Sequence, residues 1–177
     1  MPVSIANKWK TTGFSVASKG AAANLERAFE RAKDITRAMH RADVSLLAST
    51  DFPNPFMLPG FGLHDELELL VEAGLSPGEA LRAATTAPTR YFGLGSDSGF
   101  IAPGQRADLV LLYENPLLNI GNTRAIRAVI AGGRLFTRLD LDKLLAKAKA
   151  AAMESGNNDR MSAKGKSFPF VPNVQCQ

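Results

Sequence analysis

Apolar residues recur at three- and four-residue steps from Leu25 through Ala28, Phe29, Ala32, Ile35 and Thr36 to Met39, which places them on one face of a helix over about 24–42, with Asn24 as its cap. Asp43 then precedes Val44 to Ala48, an apolar run too short for a helix and without alternation. That pattern predicts a strand buried on both faces, as in parallel sheets covered by helices. Phe52 to Gly62 holds Pro53, Pro55, Pro59, Gly60 and Gly62 and reads as a loop. Helix returns from His64 to Ala73, where Gly74 is placed to end it. Ser76-Pro77-Gly78-Glu79 is a capping box with proline at the first helical position, and the helix it starts turns Ala80, Leu81 and Ala84 inward and stops before Pro88.

Beyond Gly93 the pattern changes. Phe100-Ile101 predicts a short strand, Pro103-Gly104 a turn, Ala107 to Tyr113 a strand and Asn115-Pro116 another turn. Ile126 to Ala131 and Arg134 to Thr137 flank Gly132-Gly133 as a two-residue hairpin, so this region is a small antiparallel β unit. Asp140 is the expected cap of a last helix reaching about Met153. From Ser155 the chain is polar and rich in Gly, Asn, Ser and Lys, the composition of a disordered tail. Residues 1–23 read as a loop anchored by Trp9 and Phe14, and no internal repeat is evident.

Composition narrows the function classes. With 177 residues, 45% apolar and 21% charged, the chain suits one ordinary domain or two small ones. The net charge of +4 is a mild excess of base. Glu26, Arg27, Glu30, Arg31, Lys33, Asp34 and Arg37 interleave the two signs, as on a solvated helix face, so no nucleic-acid partner is expected. Cys176 is the one cysteine, which leaves no internal disulfide to form. No run approaches the eighteen or so apolar residues of a membrane span, and the start lacks a basic-then-apolar leader pattern. A cytoplasmic location is the default expectation.

Several phrases then stand in order: Leu46-Leu47-Ala48-Ser49-Thr50-Asp51, His64-Asp65-Glu66-Leu67-Glu68-Leu69-Leu70-Val71-Glu72-Ala73-Gly74-Leu75-Ser76-Pro77 and Glu79-Ala80-Leu81-Arg82-Ala83-Ala84-Thr85. They are followed by Ile101-Ala102-Pro103-Gly104-Gln105-Arg106-Ala107-Asp108-Leu109-Val110-Leu111-Leu112, then Asn115-Pro116-Leu117 and Val129-Ile130-Ala131-Gly132-Gly133-Arg134-Leu135-Phe136. Over about residues 24–145 this set resembles the end of the amidohydrolase superfamily, nearest in flavour to its imidazolonepropionase-like and prolidase-like members.

The resemblance implies an α/β fold: the C-terminal portion of a (β/α)8 TIM barrel plus the C-terminal half of a small β-sandwich. Residues 1–92 would close the barrel, 93–139 supply sandwich strands, 140–154 form a C-terminal helix and 155–177 the tail. Helix 24–42 would be the seventh barrel helix, Val44 to Ser49 the eighth strand and His64 to Ala73 the eighth helix. It also implies a metal-dependent hydrolase acting on amide, cyclic amide or dipeptide-like C–N bonds.

The resemblance assigns Asp51, directly after the eighth strand, both to a divalent metal, zinc by expectation, and to catalysis, taking a proton from the attacking water. From the residues alone, Asp51 is also a plausible cap of the following loop. His64 opens a helix at the same end and reads either as a substrate contact or as a helix-start residue with a local hydrogen bond. Phe56, Met57 and Phe61 line either the pocket or the barrel rim. His40 is expected at helix-end carbonyls, and Asp108 at a turn or strand end.

A catalytic zinc takes about three protein ligands and a water, whereas the family's His-x-His pair and its mid-barrel ligands have no counterpart in this sequence. The expectation is a chain inactive alone, holding one piece of a site. The alternative is a non-catalytic assembly module or split subunit: unpaired strand edges favour self-association or a partner chain that completes the barrel.

Overall fold

A computed structural model describes residues 19–52, 57, 59–95 and 97–161. The stretch carrying Trp9 and Phe14, the loop residues Pro53 to Phe56, and the end of the tail with Cys176 lie outside these. Among the described residues the architecture is mixed α/β: four α-helices, a three-stranded antiparallel sheet, and a long final helix.

Helix α1 runs Lys19–Arg41, beginning before Asn24. Asn24 is therefore inside it and, instead of capping, accepts a 2.9 Å hydrogen bond from Arg27 Nη2. The far end closes as a Schellman turn: Val44 N donates to Met39 O and Asp43 N to His40 O, with Asp43 at φ 55°.

The strand expected at Val44 to Ala48 does not form among the described residues. A strand exists only through a neighbour's ladder, and the one backbone bond from its later half is Ala48 N to Ala83 O at 2.9 Å, a helix carbonyl. The side chains still alternate. Leu46 and Ala48 pack on the core, while Ser45 and Leu47 line a cleft of about 500 Å³ with Arg82, Thr86 and Tyr91.

Helix α2 spans Gly62–Glu72, starting two residues earlier than the His64 expectation. Gly74, at φ 112°, ends it as expected, with Leu75 N bonded to Leu70 O. Helix α3, Pro77–Ala84, has the full reciprocal box: Ser76 N donates to Glu79 Oε2 at 2.7 Å, and Glu79 N to Ser76 Oγ at 3.3 Å. Helix α3 ends at Ala84, before Pro88 as expected. A second short helix, α4 (Thr86–Tyr91), carries Pro88 in its first turn, where no intrahelical N–H is required.

Strands β1 (Leu109–Leu112), β2 (Ile126–Ala131) and β3 (Arg134–Thr137) pair in the order β1-β2-β3, with Leu109 opposite Ile130 and Val129 opposite Phe136. Gly132 and Gly133, at φ 55° and 79°, make the two-residue turn, which only residues tolerating positive φ can do cheaply. Phe100-Ile101 is not a strand; Ile101 is 89% exposed, with no face to bury.

A 3-10 helix, Ile120–Arg124, leads into β2. Helix α5, Arg138–Met161, is capped by Thr137 rather than Asp140: Asp140 N donates to Thr137 Oγ1, and Asp140 Oδ2 accepts from Thr137 N. Helix also replaces the disorder expected from Ser155 to Met161.

The core is Leu67, Leu70, Leu75, Ala80, Ala83 and Ile120, so α2, α3 and the 3-10 helix meet in it. The stripe on α1 does not reach it: Leu25, Phe29 and Ile35 are 52%, 46% and 61% exposed. What ties α1 down is polar, with Arg37 Nε donating to Ala73 O at 3.0 Å and Lys33 paired to Glu72 at 3.5 Å.

Candidate functional site

Asp51 lies at the exit of the 44–50 segment, exposed, in the left-handed region at φ 49°, with its N–H 3.4 Å from Ser49 Oγ. Its neighbour Thr50 rests on the first turn of α2. A Cβ at Gly62 would meet Thr50 Cγ2 at 3.4 Å and Met57 Cε at 3.6 Å, ordinary contact distances that place the first turn of α2 beside the Asp51 loop. Of the loop's candidate lining residues, Met57 is half-buried at this junction, Phe61 is 53% exposed, and Phe56 is outside the described residues.

His64 follows two residues into α2, and its hydrogen bond is not local. Nδ1 lies 2.9 Å from the hydroxyl of Thr123, 59 positions along the chain. Thr123 is 6% exposed, and its hydroxyl also donates to Ile120 O at 2.9 Å. Beside it, Arg124 binds Asp65 Oδ1 through Nη2 at 2.5 Å and Glu68 Oε1 through Nε at 3.0 Å. These two carboxylates hold the Arg124 guanidinium above its usual range. Burial, then the Arg124 charge, lowers the His64 pKa below 6.5 against the pull of Asp65 and Glu68. Thr123 and Arg124 have no periodic or motif signal in the sequence; only the fold brings them to His64.

His40 is not engaged with helix-end carbonyls through its ring: Nε2 is 3.7 Å from Glu79 Oε2, the acid of the α3 capping box. Bonds from Ser76 pull the Glu79 pKa down. Asp108 sits at a strand end, accepting from Gly132 N and Arg106 Nε, both at 2.6 Å. Glu66, half-buried on α2, has its pKa raised by burial.

Among the described residues no three His, Cys, Asp or Glu side chains are grouped so that they could hold a metal ion. Asp51 by itself does not meet the three-ligand requirement of a catalytic zinc, so no bound-metal geometry follows from these residues. Among them, too, no helix is long and apolar enough to cross a membrane.

Residues 15–136 match the model of the amidohydrolase family. The chain belongs to that family. Adenine deaminase 2 of Agrobacterium fabrum is 42% identical over 96 residues, which are 52% of this chain and 15% of that enzyme. An adenine deaminase of Moorella thermoacetica is 32% identical over 108 residues, 60% of this chain and 18% of its own. A Xaa-Pro dipeptidase crystallised with methionine in its active site superposes with TM-score 0.55 and 25% identity, over 59% of this chain and 25% of that one. Molinate hydrolase, at 22% identity, shares the fold over 80% of this chain and 30% of its own, with TM-score 0.51. This amidohydrolase chain thus spans under a fifth of the length of these two adenine deaminases.

Proposed function

We propose that this chain is the C-terminal portion of a (β/α)8-barrel, metal-dependent hydrolase, with β1 to β3 forming half of its β-sandwich. The parent enzyme cleaves a C–N bond in an amide, a cyclic amide or a dipeptide-like molecule. Membership of the amidohydrolase family over 15–136, a span that includes Asp51 and His64, carries this reading. The position of Asp51 supports it, at the exit of a segment whose residues alternate between the helix side and a cleft. Active sites of such barrels lie where strands give way to their following loops.

In this reading Asp51 is the chain's contribution to a divalent metal centre, zinc by preference, whose other ligands lie outside the described residues. Its carboxylate also takes a proton from the attacking water and returns it to the leaving nitrogen. His64 offers a substrate contact from the start of α2. The exposed stripe of α1 and the ladderless 44–50 segment favour completion by further polypeptide, on the same or another chain.

The test is zinc retained after exhaustive dialysis of the 177-residue chain. Sub-stoichiometric zinc and no amidase activity are expected. Stoichiometric zinc that disappears in Asp51→Asn would overturn the incomplete-site reading, because the chain would then hold a full ligand set.

A further inference from the structure

Thr123 has one hydroxyl proton, and the 2.9 Å contact with Ile120 O uses it. In the 2.9 Å contact with His64, the Thr123 oxygen must then accept, which places a hydrogen on Nδ1. A neutral imidazole has a single N–H, so Nε2 keeps its lone pair. Arg124 grips the same patch of α2 through Asp65 and Glu68, one and four residues after His64. Ile120, from the same 3-10 helix, is buried in the core against α2. The first turn of α2 in turn carries Gly62, where a Cβ would lie 3.4 Å from Thr50 Cγ2, so this turn runs beside the residue next to Asp51.

We infer that Thr123 and Arg124 are positioning residues for the Asp51 loop, acting through His64, held as its Nδ1–H tautomer, and through the first turn of α2. The β unit after residue 100 thereby sets the geometry of a loop more than fifty residues earlier. The functional weight of this latch rests on the reading of Asp51 as a site residue, but the latch itself does not.

The experiment is NMR on the full chain, with imidazole nitrogen shifts of His64 and backbone amide shifts of Thr50, Asp51 and Gly62. The wild type is expected to show a protonated Nδ1 and an unprotonated Nε2. Thr123→Val should release His64 to the Nε2–H form and move the Thr50 and Asp51 amides, whereas Thr123→Ser should leave both as in wild type. His64→Asn places an amide donor where Nδ1 was and should retain wild-type Asp51 shifts; His64→Gln should not. Arg124→Gln leaves the core intact and should shift Gly62 and Thr50, which keeps the test decisive if Thr123→Val does not fold. A wild-type His64 in the Nε2–H form would overturn the tautomer. Thr50 and Asp51 amides unmoved in folded Arg124→Gln and His64→Gln would overturn the positioning role. Zinc retention is read separately, so failure of the metal-site reading leaves these outcomes unaffected.

Discussion

At the scale of single residues, Asp51 combines an exposed carboxylate with a backbone that few side chains accept. Its φ of 49° is tolerated by Asp and Asn, whose short polar side chains bond locally, and is costly for residues branched at Cβ. Asp51→Asn should therefore keep the fold within about 0.5 kcal/mol of wild type, while removing the anionic oxygen a metal or a proton needs. Denaturant unfolding of the two proteins checks the first half of that statement, and metal titration the second.

His64 makes a pH prediction. Its pKa is lower in the folded chain than the ordinary 6.5, so between those two values the unfolded chain binds more protons. The contribution of His64 to stability is complete above about 6.5 and is lost as pH falls through the folded value. Unfolding free energy measured across this range should slope less in His64→Asn. Glu66 acts in the opposite sense: with a pKa raised above 4.5 by burial, its contribution is complete below 4.5 and is lost as pH rises through its folded value. Glu66→Gln should thus gain stability relative to wild type toward neutral pH, and the two variants separate the two slopes.

At the scale of elements, stop and start signals decide more than propensity. Helix α3 begins where Ser76, Pro77 and Glu79 say it must, and β3 passes into α5 through the reciprocal Thr137–Asp140 pair. Ser76→Ala should cost about 1 kcal/mol, the usual value of a lost N-cap, as a lower thermal midpoint with unchanged far-ultraviolet helicity. Gly74→Ala should cost about 1 kcal/mol or more, because φ 112° is closed to a side chain even though the space toward Arg37 is open to 3.5 Å. Asn24 shows the limit of such signals, and Pro88 shows that a helix can restart around a proline. Asn24 has capping chemistry but lies inside a helix that continues behind it, and Pro88 falls in a first turn that makes no demand on its nitrogen.

At the scale of the whole molecule, the apolar surface is unevenly used. The core gathers α2, α3 and the 3-10 helix, while Leu25, Phe29 and Ile35 on α1 and Val110, Leu111 and Leu135 on the sheet stay more than 40% exposed. Single exposed apolar residues are ordinary, but a stripe along one helix marks a surface made to be covered. Light scattering of the isolated chain should show a mass that rises with concentration. Ile35→Lys, at a position 61% exposed, should reduce that rise with less than about 0.5 kcal/mol change in stability. A sharp monomer at every concentration would remove the argument that further polypeptide covers α1.

The sequence by itself determined the local and the ordered: the amphipathic face of α1, the α3 capping box, Gly74 as a terminator, the Gly132-Gly133 hairpin and the succession of phrases that marks the amidohydrolase family. Each depends on residues a few positions apart, or on order along the chain, and both can be read in one dimension. Tertiary structure alone decided whether Val44 to Ala48 is a strand, because a strand is a property of two segments and only one is present among the described residues. It alone joined His64 to Thr123 and Arg124 to Asp65, pairs separated by 59 residues, whose hydrogen bonds and ion pairs leave no periodic trace in the chain.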